Sequence, residues 1–328
     1  IYSDYTQAGW ANLFEQPLHA MAMRDAGAAF RLLRDSYRHM SRGMLPSTVS
    51  HNKIFYQTTP PIYGLAVLDL LNKAGGKLPA DDAQALYAAM KENFAWWEEK
   101  HSFAAGRFSY NFPDELSLPG VSYSAFEFPL ETPDLYTYLI LYAKALKKLS
   151  AILGNGQAED WQAKEQAMTK QLLSLWNGSA FCCRAVVSGR LFESRSLLAY
   201  LPVLLGRNLP DDILDALLKA LSSEEAFLSG RGLRSESKES PYYDPAVAGR
   251  GAVVAWLQQL IIGALFDIGR LDLAQEAAKR YLGAVKEFGA RDVLAAEGEQ
   301  PARRPGGRFN AIAGAATLAI AGMLGESR

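Results

Sequence analysis

The connections between helices constrain the fold of this chain more than the helices do. Apolar residues recur at three- and four-residue spacing through ten stretches: 17–42, 60–74, 81–103, 133–154, 158–176, 194–205, 210–222, 250–268, 271–287 and 308–325. That is the period of a helix burying one face. In the fourth, Leu135, Leu139, Tyr142, Leu146, Leu149 and Leu153 form one stripe. Thr132 is placed to cap it, Pro133 suits its first position and Gly154 can close it in a left-handed conformation. The connections after the first, third, fifth, seventh and ninth stretches are long (43–59, 104–131, 177–193, 223–249 and 288–307). Those after the second, fourth, sixth and eighth are short (75–80, 155–157, 206–209 and 269–270). Exits of antiparallel helices alternate between two ends, so every long loop is expected on one face. Long loops in a compact domain are uncommon and usually functional. The pattern predicts an all-α chain, an (α/α)6-type toroid of helical hairpins with ten to twelve helices. Its pocket lies at the long-loop end, and residues 1–328 form one domain. An eleventh helix would fall within Ser3–Glu15, and Phe181–Leu191 reads as a small hairpin turning at Ser188-Gly189. A repeat solenoid would show a fixed period and a shared motif, which these hairpins lack.

Composition narrows the partners. With 49% hydrophobic and 21% charged residues the chain is globular in type. A net charge of -1 and a pI near 6.5 give no electrostatic case for nucleic acid. The most apolar stretches, 252–266 and 311–324, fall short of the roughly 20 residues a membrane span needs, so no membrane partner is expected. Cys182 and Cys183 are adjacent, a poor geometry for a disulfide, and read as inert packing in a reducing, cytoplasmic setting. The chain starts at Ile1, so a preceding signal or domain is compatible with it. His19, His39, His51 and His101 are scattered without ligand spacing, so neither a metal nor a cofactor is expected.

The long loops carry the chemistry. The first holds His51, Lys53, Phe55, Tyr56 and Gln57. The second holds Phe108, Tyr110, Phe112, Asp114, Glu115, Tyr123, Glu127 and Glu131, and runs into Asp134. The fourth offers Arg231, Arg234, Glu236, Tyr242, Tyr243 and Asp244, with Arg250 just beyond; the fifth offers Arg291, Asp292, Glu297 and Glu299. Aromatic rings stack on sugar C–H faces and charged groups bind hydroxyls in pairs. Two carboxylates from different loops suit glycosidic cleavage, one as acid and one as base. Individual carboxylates also have plainer uses: Asp134 suits a helix N-terminus, and Glu127 and Glu131 suit ion pairs with local arginines. Tyr242-Tyr243 serves packing or binding equally well.

The order of motifs resembles the (α/α)6 glycoside hydrolases of the trehalase and family 63 group, with their amylo-α-1,6-glucosidase-like relatives. Gly43-Met44-Leu45-Pro46 with Pro60-Pro61-Ile62, and Pro113-Asp114-Glu115-Leu116 with Glu131-Thr132-Pro133-Asp134-Leu135, are similar to that group's first two blocks. Glu193-Ser194 with Leu201-Pro202 and Gly206, Ser240-Pro241-Tyr242-Tyr243 with Gly249-Arg250-Gly251, and Glu297 with Phe309 are similar to the rest. The resemblance spans nearly the whole chain. It also shows departures. The position of the group's acidic aspartate holds Pro119, and the tryptophan and proline around its W-R-G-P are Gly249 and Ala252.

What the resemblance implies is inverting hydrolysis of a small α-glucoside or related oligosaccharide by a carboxylate acid/base pair. Glu297 takes the base position and Asp114 is the nearest replacement acid. Tyr56, Gln57, Phe112, Glu115, Tyr243 and Arg250 are the expected substrate-binding residues. The alternative is a catalytically impaired carbohydrate-binding protein on the same fold, which Pro119 favours. An unrelated toroid enzyme, such as a sugar epimerase or a terpene cyclase, would need paired histidines or an aspartate cluster, and the sequence shows neither.

Overall fold

A computed structural model of the chain describes residues 10–50, 57–300 and 311–326. It divides into two compact units. The first comprises Ile1–Ser117, Phe128–Leu175 and Arg184–Arg190; the second comprises Leu118–Glu127, Trp176–Cys183 and Leu191–Arg328.

Among the described residues, six α-helices build the first unit: α1 (Glu15–Ala22), α2 (Ala26–Tyr37), α3 (Tyr63–Lys73), α4 (Ala80–His101), α5 (Pro133–Leu153) and α6 (Ala158–Leu173). The single helix expected over 17–42 is two. The chain extends at Met23, and the Asp25 carboxylate accepts the Ala28 N–H at 2.6 Å, so a new N-cap starts a second helix. In α5 the expected devices are present: Thr132 caps Leu135, Pro133 opens the helix and Gly154 closes it at φ 60°. This helix is buried along most of its length, and α3 lies directly against it. Gly64 makes that approach possible, because a Cβ there would lie 2.3 Å from Tyr142 Cα. Below the contact, Tyr37, Tyr142, Asn93 and the Gly43 carbonyl form a buried hydrogen-bond chain with links of 2.7, 3.0 and 2.8 Å.

Just before α5, the fully buried Glu131 accepts from Arg107 at 2.8 Å, from the Tyr136 hydroxyl at 2.6 Å and from Arg184. Burial alone would raise this carboxyl, but the two guanidinium groups and the tyrosine hold it below the ordinary value. Leu130 and Glu131 also pair antiparallel with Ala185 and Arg184. The chain turns beyond them at Ser188-Gly189, as expected, with Gly189 at φ 70° and the Ala185 N–H donating to Arg190 O.

In the second unit, α7 (Asp211–Ser222), α8 (Ala255–Asp267), α9 (Leu271–Phe288) and α10 (Ala311–Glu326) follow a 3-10 segment, Leu197–Asn208. The sequence predicts an α-helix over 194–205. Pro202 withholds an N–H there and Gly206 leaves helical space at φ 56°, ψ −133°, so the segment stays in short 3-10 turns. In α8, the buried Gln258 is satisfied by the strand Gly232–Leu233. It accepts the Leu233 N–H and donates to the Leu233 carbonyl, both at 2.8 Å. Cys182 and Cys183 are buried thiols, not bonded to one another. Among the described residues no helix is long and apolar enough to cross a membrane.

Candidate active site

Within each unit the long loops meet one another. In the first, Gln57 donates from loop 43–59 to the backbone carbonyl of Asp114 in loop 104–131. Beside this contact lies a cavity of about 560 Å³ lined by Met44, Gln57, Thr58, Trp96, Lys100, His101, Asn111, Phe112, Asp114 and Glu115. A second cavity, of about 620 Å³, shares Met44, Trp96 and Lys100 with it and reaches Arg42. Phe112 stands 63% exposed at the rim, and Asp114 is exposed beside it.

Glu115 behaves differently from its neighbour. The 3-10 turn Pro113–Glu115 folds its carboxyl back under the loop, where Oε2 accepts the N–H groups of Asn111 at 2.6 Å and Phe112 at 3.3 Å. The residue is 8% exposed, and burial pushes its pKa up to about 7. The two backbone bonds offset part of that rise, and the adjacent Asp114 charge adds to it. Opposite Oε1 stands His101, the last residue of α4, with Nε2 at 3.8 Å. Its Nδ1 lies 3.0 Å from the Ser109 carbonyl, an acceptor only, so Nδ1 carries the hydrogen. Burial among Trp96 and Trp97 lowers the imidazole pKa and keeps the ring neutral, so Nε2 presents a lone pair to Glu115.

The second unit holds the other carboxylate. Glu297 accepts at Oε1 from Arg234 Nη2 at 2.9 Å and from the Tyr243 hydroxyl at 3.1 Å. Neither bond falls on Oε2. The Arg234 side chain is 5% exposed and that of Glu297 43%, so a buried cation supports a carboxylate open to solvent. Arg234 depresses the Glu297 pKa, outweighing a small opposing effect of burial, and Tyr243 assists. Arg234 is itself fixed by the Glu224 carbonyl at 2.9 Å.

Tyr243 is placed by Gly251, at φ 144°, where a Cβ would lie 2.6 Å from the tyrosine ring. Arg250 is occupied locally: its Nε donates to Gly120 O at 3.2 Å, and its guanidinium lies 5.9 Å from the Tyr242 ring centroid. Glu236 is fully buried and accepts the Ser122 and Ser240 hydroxyls at 3.0 and 2.6 Å; burial raises its pKa.

Of the residues expected from sequence, Gln57, Phe112, Asp114 and Glu115 come together in the first unit, and Tyr243 and Glu297 in the second. Tyr56 lies outside the described residues. Asp134 occupies the first turn of α5, fully buried, and accepts the Tyr110 hydroxyl at 3.2 Å. Arg234 and His101 are functional candidates that sequence reasoning does not single out. Arg234 is one of several loop arginines, and His101 gains a partner only through the turn at Glu115. Among the described residues no group of three or more His, Cys, Asp or Glu side chains converges as a metal site.

Solved structures place this fold in a class. A GH63 mannosylglycerate hydrolase from Thermus thermophilus, in complex with glucose, superposes with a TM-score of 0.80 at 15% identity, over 98% of this chain and 94% of that one. The same enzyme with Tris and D-glycerate gives 0.78 at 16% identity, over 95% and 92%. Neutral trehalase from Saccharomyces cerevisiae gives 0.71 at 11% identity, over 96% and 72%. The fold is therefore the all-α, (α/α)6-type architecture of these glycoside hydrolases. The model of the mannosylglycerate hydrolase MGH1-like glycoside hydrolase domain matches residues 119–300, and the chain belongs to that family. No curated protein sequence matches it.

Proposed function

We propose that this protein is an inverting glycoside hydrolase acting on a small α-glucoside, α-mannoside or related oligosaccharide. Residues 1–328 would form a single toroid domain. The observation that carries the reading is the state of Glu297: ionised by the buried Arg234, fixed through Oε1 and open at Oε2. A carboxylate held in that way is suited to take a proton from water as it adds to the anomeric carbon. The leaving oxygen is protonated from the Asp114–Glu115 pair, beside a cavity whose Trp96 and Phe112 rings offer stacking faces. Gln57 lines that cavity and is suited to bind a sugar hydroxyl, and the proposed reaction needs no metal or cofactor. The hydrolases of like fold act on mannosylglycerate and trehalose, which supports a small sugar substrate. Incubation with α-glucosides and α-mannosides, followed by reducing-sugar release, tests the reading: wild type should release sugar, and Glu297→Gln should not.

One observation favours a second reading, a carbohydrate-binding protein on this fold. Pro119 stands where the acid is expected, and its carbonyl abuts Gly249, the position where the family resemblance expects tryptophan. Calorimetry with glucose, mannose, trehalose and maltose separates the two: binding without turnover supports the binder.

A further inference from the structure

Glu115 and Asp114 are adjacent in sequence and opposite in environment. Asp114 is exposed at the cavity rim. Glu115 lines the same cavity from below, and its two oxygens are unequal: Oε2 receives both backbone N–H groups, while Oε1 faces only the His101 lone pair at 3.8 Å. A carboxylate Oε1 would meet no donor there and would face the lone pair of a neutral imidazole, which repels it. A protonated Oε1 suffers no such repulsion. The geometry therefore holds the proton on the oxygen that borders the cavity. The charged and titratable groups around it are His101 and Lys100 from α4, Asp114 on its own turn and the buried Tyr110. Of these, His101 is neutral, Tyr110 is kept protonated by burial, and the Lys100 ammonium lies 2.7 Å from Glu99.

We propose that Glu115, rather than Asp114, is the proton donor of the reaction, in place of the acid missing at Pro119. The inference rests on the hydrolase reading above. In the step, Glu115 Oε1–H gives its proton to the glycosidic oxygen as the bond from that oxygen to the anomeric carbon breaks. Water forms the new bond from the opposite face and passes its proton to Glu297. The products are a sugar of inverted configuration and a neutral alcohol. Glu115 is left as carboxylate and Glu297 protonated, and exchange with solvent restores both. Raising the pKa of Glu115 to about 7 by burial keeps it protonated at the pH where Glu297 is already ionised.

Leaving-group dependence tests this directly. Glu115→Gln keeps an oxygen to accept the Asn111 and Phe112 N–H groups, and an unchanged circular dichroism spectrum with a melting temperature no lower than that of wild type establishes that it folds. Wild type, E115Q and D114N are assayed on methyl α-glucoside and α-mannoside, whose alcohols need protonation, and on the corresponding glycosyl fluorides, which need little. E115Q is expected to lose ~10²–10⁴-fold in kcat on the methyl glycosides and far less on the fluorides. It should also lose the alkaline limb expected in wild-type kcat near pH 7. D114N should show no such split between the substrates. The inference is overturned if E115Q slows both substrates equally, if it slows neither, or if the split appears in D114N. Failure of wild type to cleave even the fluorides overturns the hydrolase reading itself, and the inference with it.

Discussion

The Cα of Gly249 packs against the backbone at Pro119, so closely that a Cβ there would lie 2.7 Å from the Pro119 carbonyl oxygen and 2.4 Å from the Val121 nitrogen. The two positions that depart from the resembled motifs, Pro119 and Gly249, are thus in contact. The loop that lacks the aspartate occupies the space beside the position that lacks the tryptophan, and Arg250 Nε and the Ser122–Glu236 bond secure it there.

Restoring the tryptophan alone should therefore fail. Gly249→Trp is expected to destabilise the fold, since backbone atoms, not flexible side chains, block the added group. Pro119→Asp should fold, because position 119 is exposed. Denaturant melts of both variants check this; an unperturbed Gly249→Trp would contradict the packing.

Gly64 makes the same kind of contact between α3 and α5. Gly64→Ala places a methyl on the Tyr142 backbone, and overpacking of this sort typically costs ~1–3 kcal/mol. The predicted outcome is a lower urea midpoint at an unchanged slope.

If Glu297 is the base, as proposed, Arg234 sets the acidic limb of activity: Arg234 holds the Glu297 pKa down, so activity should fade only as the pH falls through that lowered value. Arg234→Gln lets the pKa climb, and the acidic limb of kcat/KM should move to higher pH. A pH profile with the limb unmoved would show that Arg234 does not tune the base.

Glu115 also marks stability. Its folded pKa of about 7 lies above the ordinary glutamate value of 4.5, so the folded state holds the extra proton. Its contribution is neutral below the unfolded value and turns increasingly destabilising as the pH rises from 4.5 to 7. Each pH unit in that window costs about 1.4 kcal/mol. Glu115→Gln should therefore gain on wild type across the window. Melting temperatures of both at about pH 5 and about pH 8, on either side of most of that window, measure the gain.

The helices are legible where local chemistry decides them. Thr132, Pro133 and Gly154 bound α5 from sequence alone, because capping is a contact between neighbours. The break at Asp25 is hidden, since the apolar spacing runs on past it and only the side-chain bond to Ala28 shows that the helix restarts. At the site, the residue types are readable but their states are not. Arg234 and Glu297 are 63 residues apart, and nothing local pairs them. Glu115 and Asp114 look alike in sequence, and only the turn that buries one and exposes the other gives them different chemistry.

The central claim, that Glu297 activates water for an inverting cleavage, is tested most directly by following one turnover by proton NMR. Wild type is mixed with α-glucosyl or α-mannosyl fluoride, and the anomeric signals of the released sugar are read before mutarotation. The account predicts that the β-anomer appears first with wild type and that no sugar appears above the spontaneous rate with Glu297→Gln. The α-anomer appearing first, or Glu297→Gln releasing sugar at the wild-type rate, would contradict it.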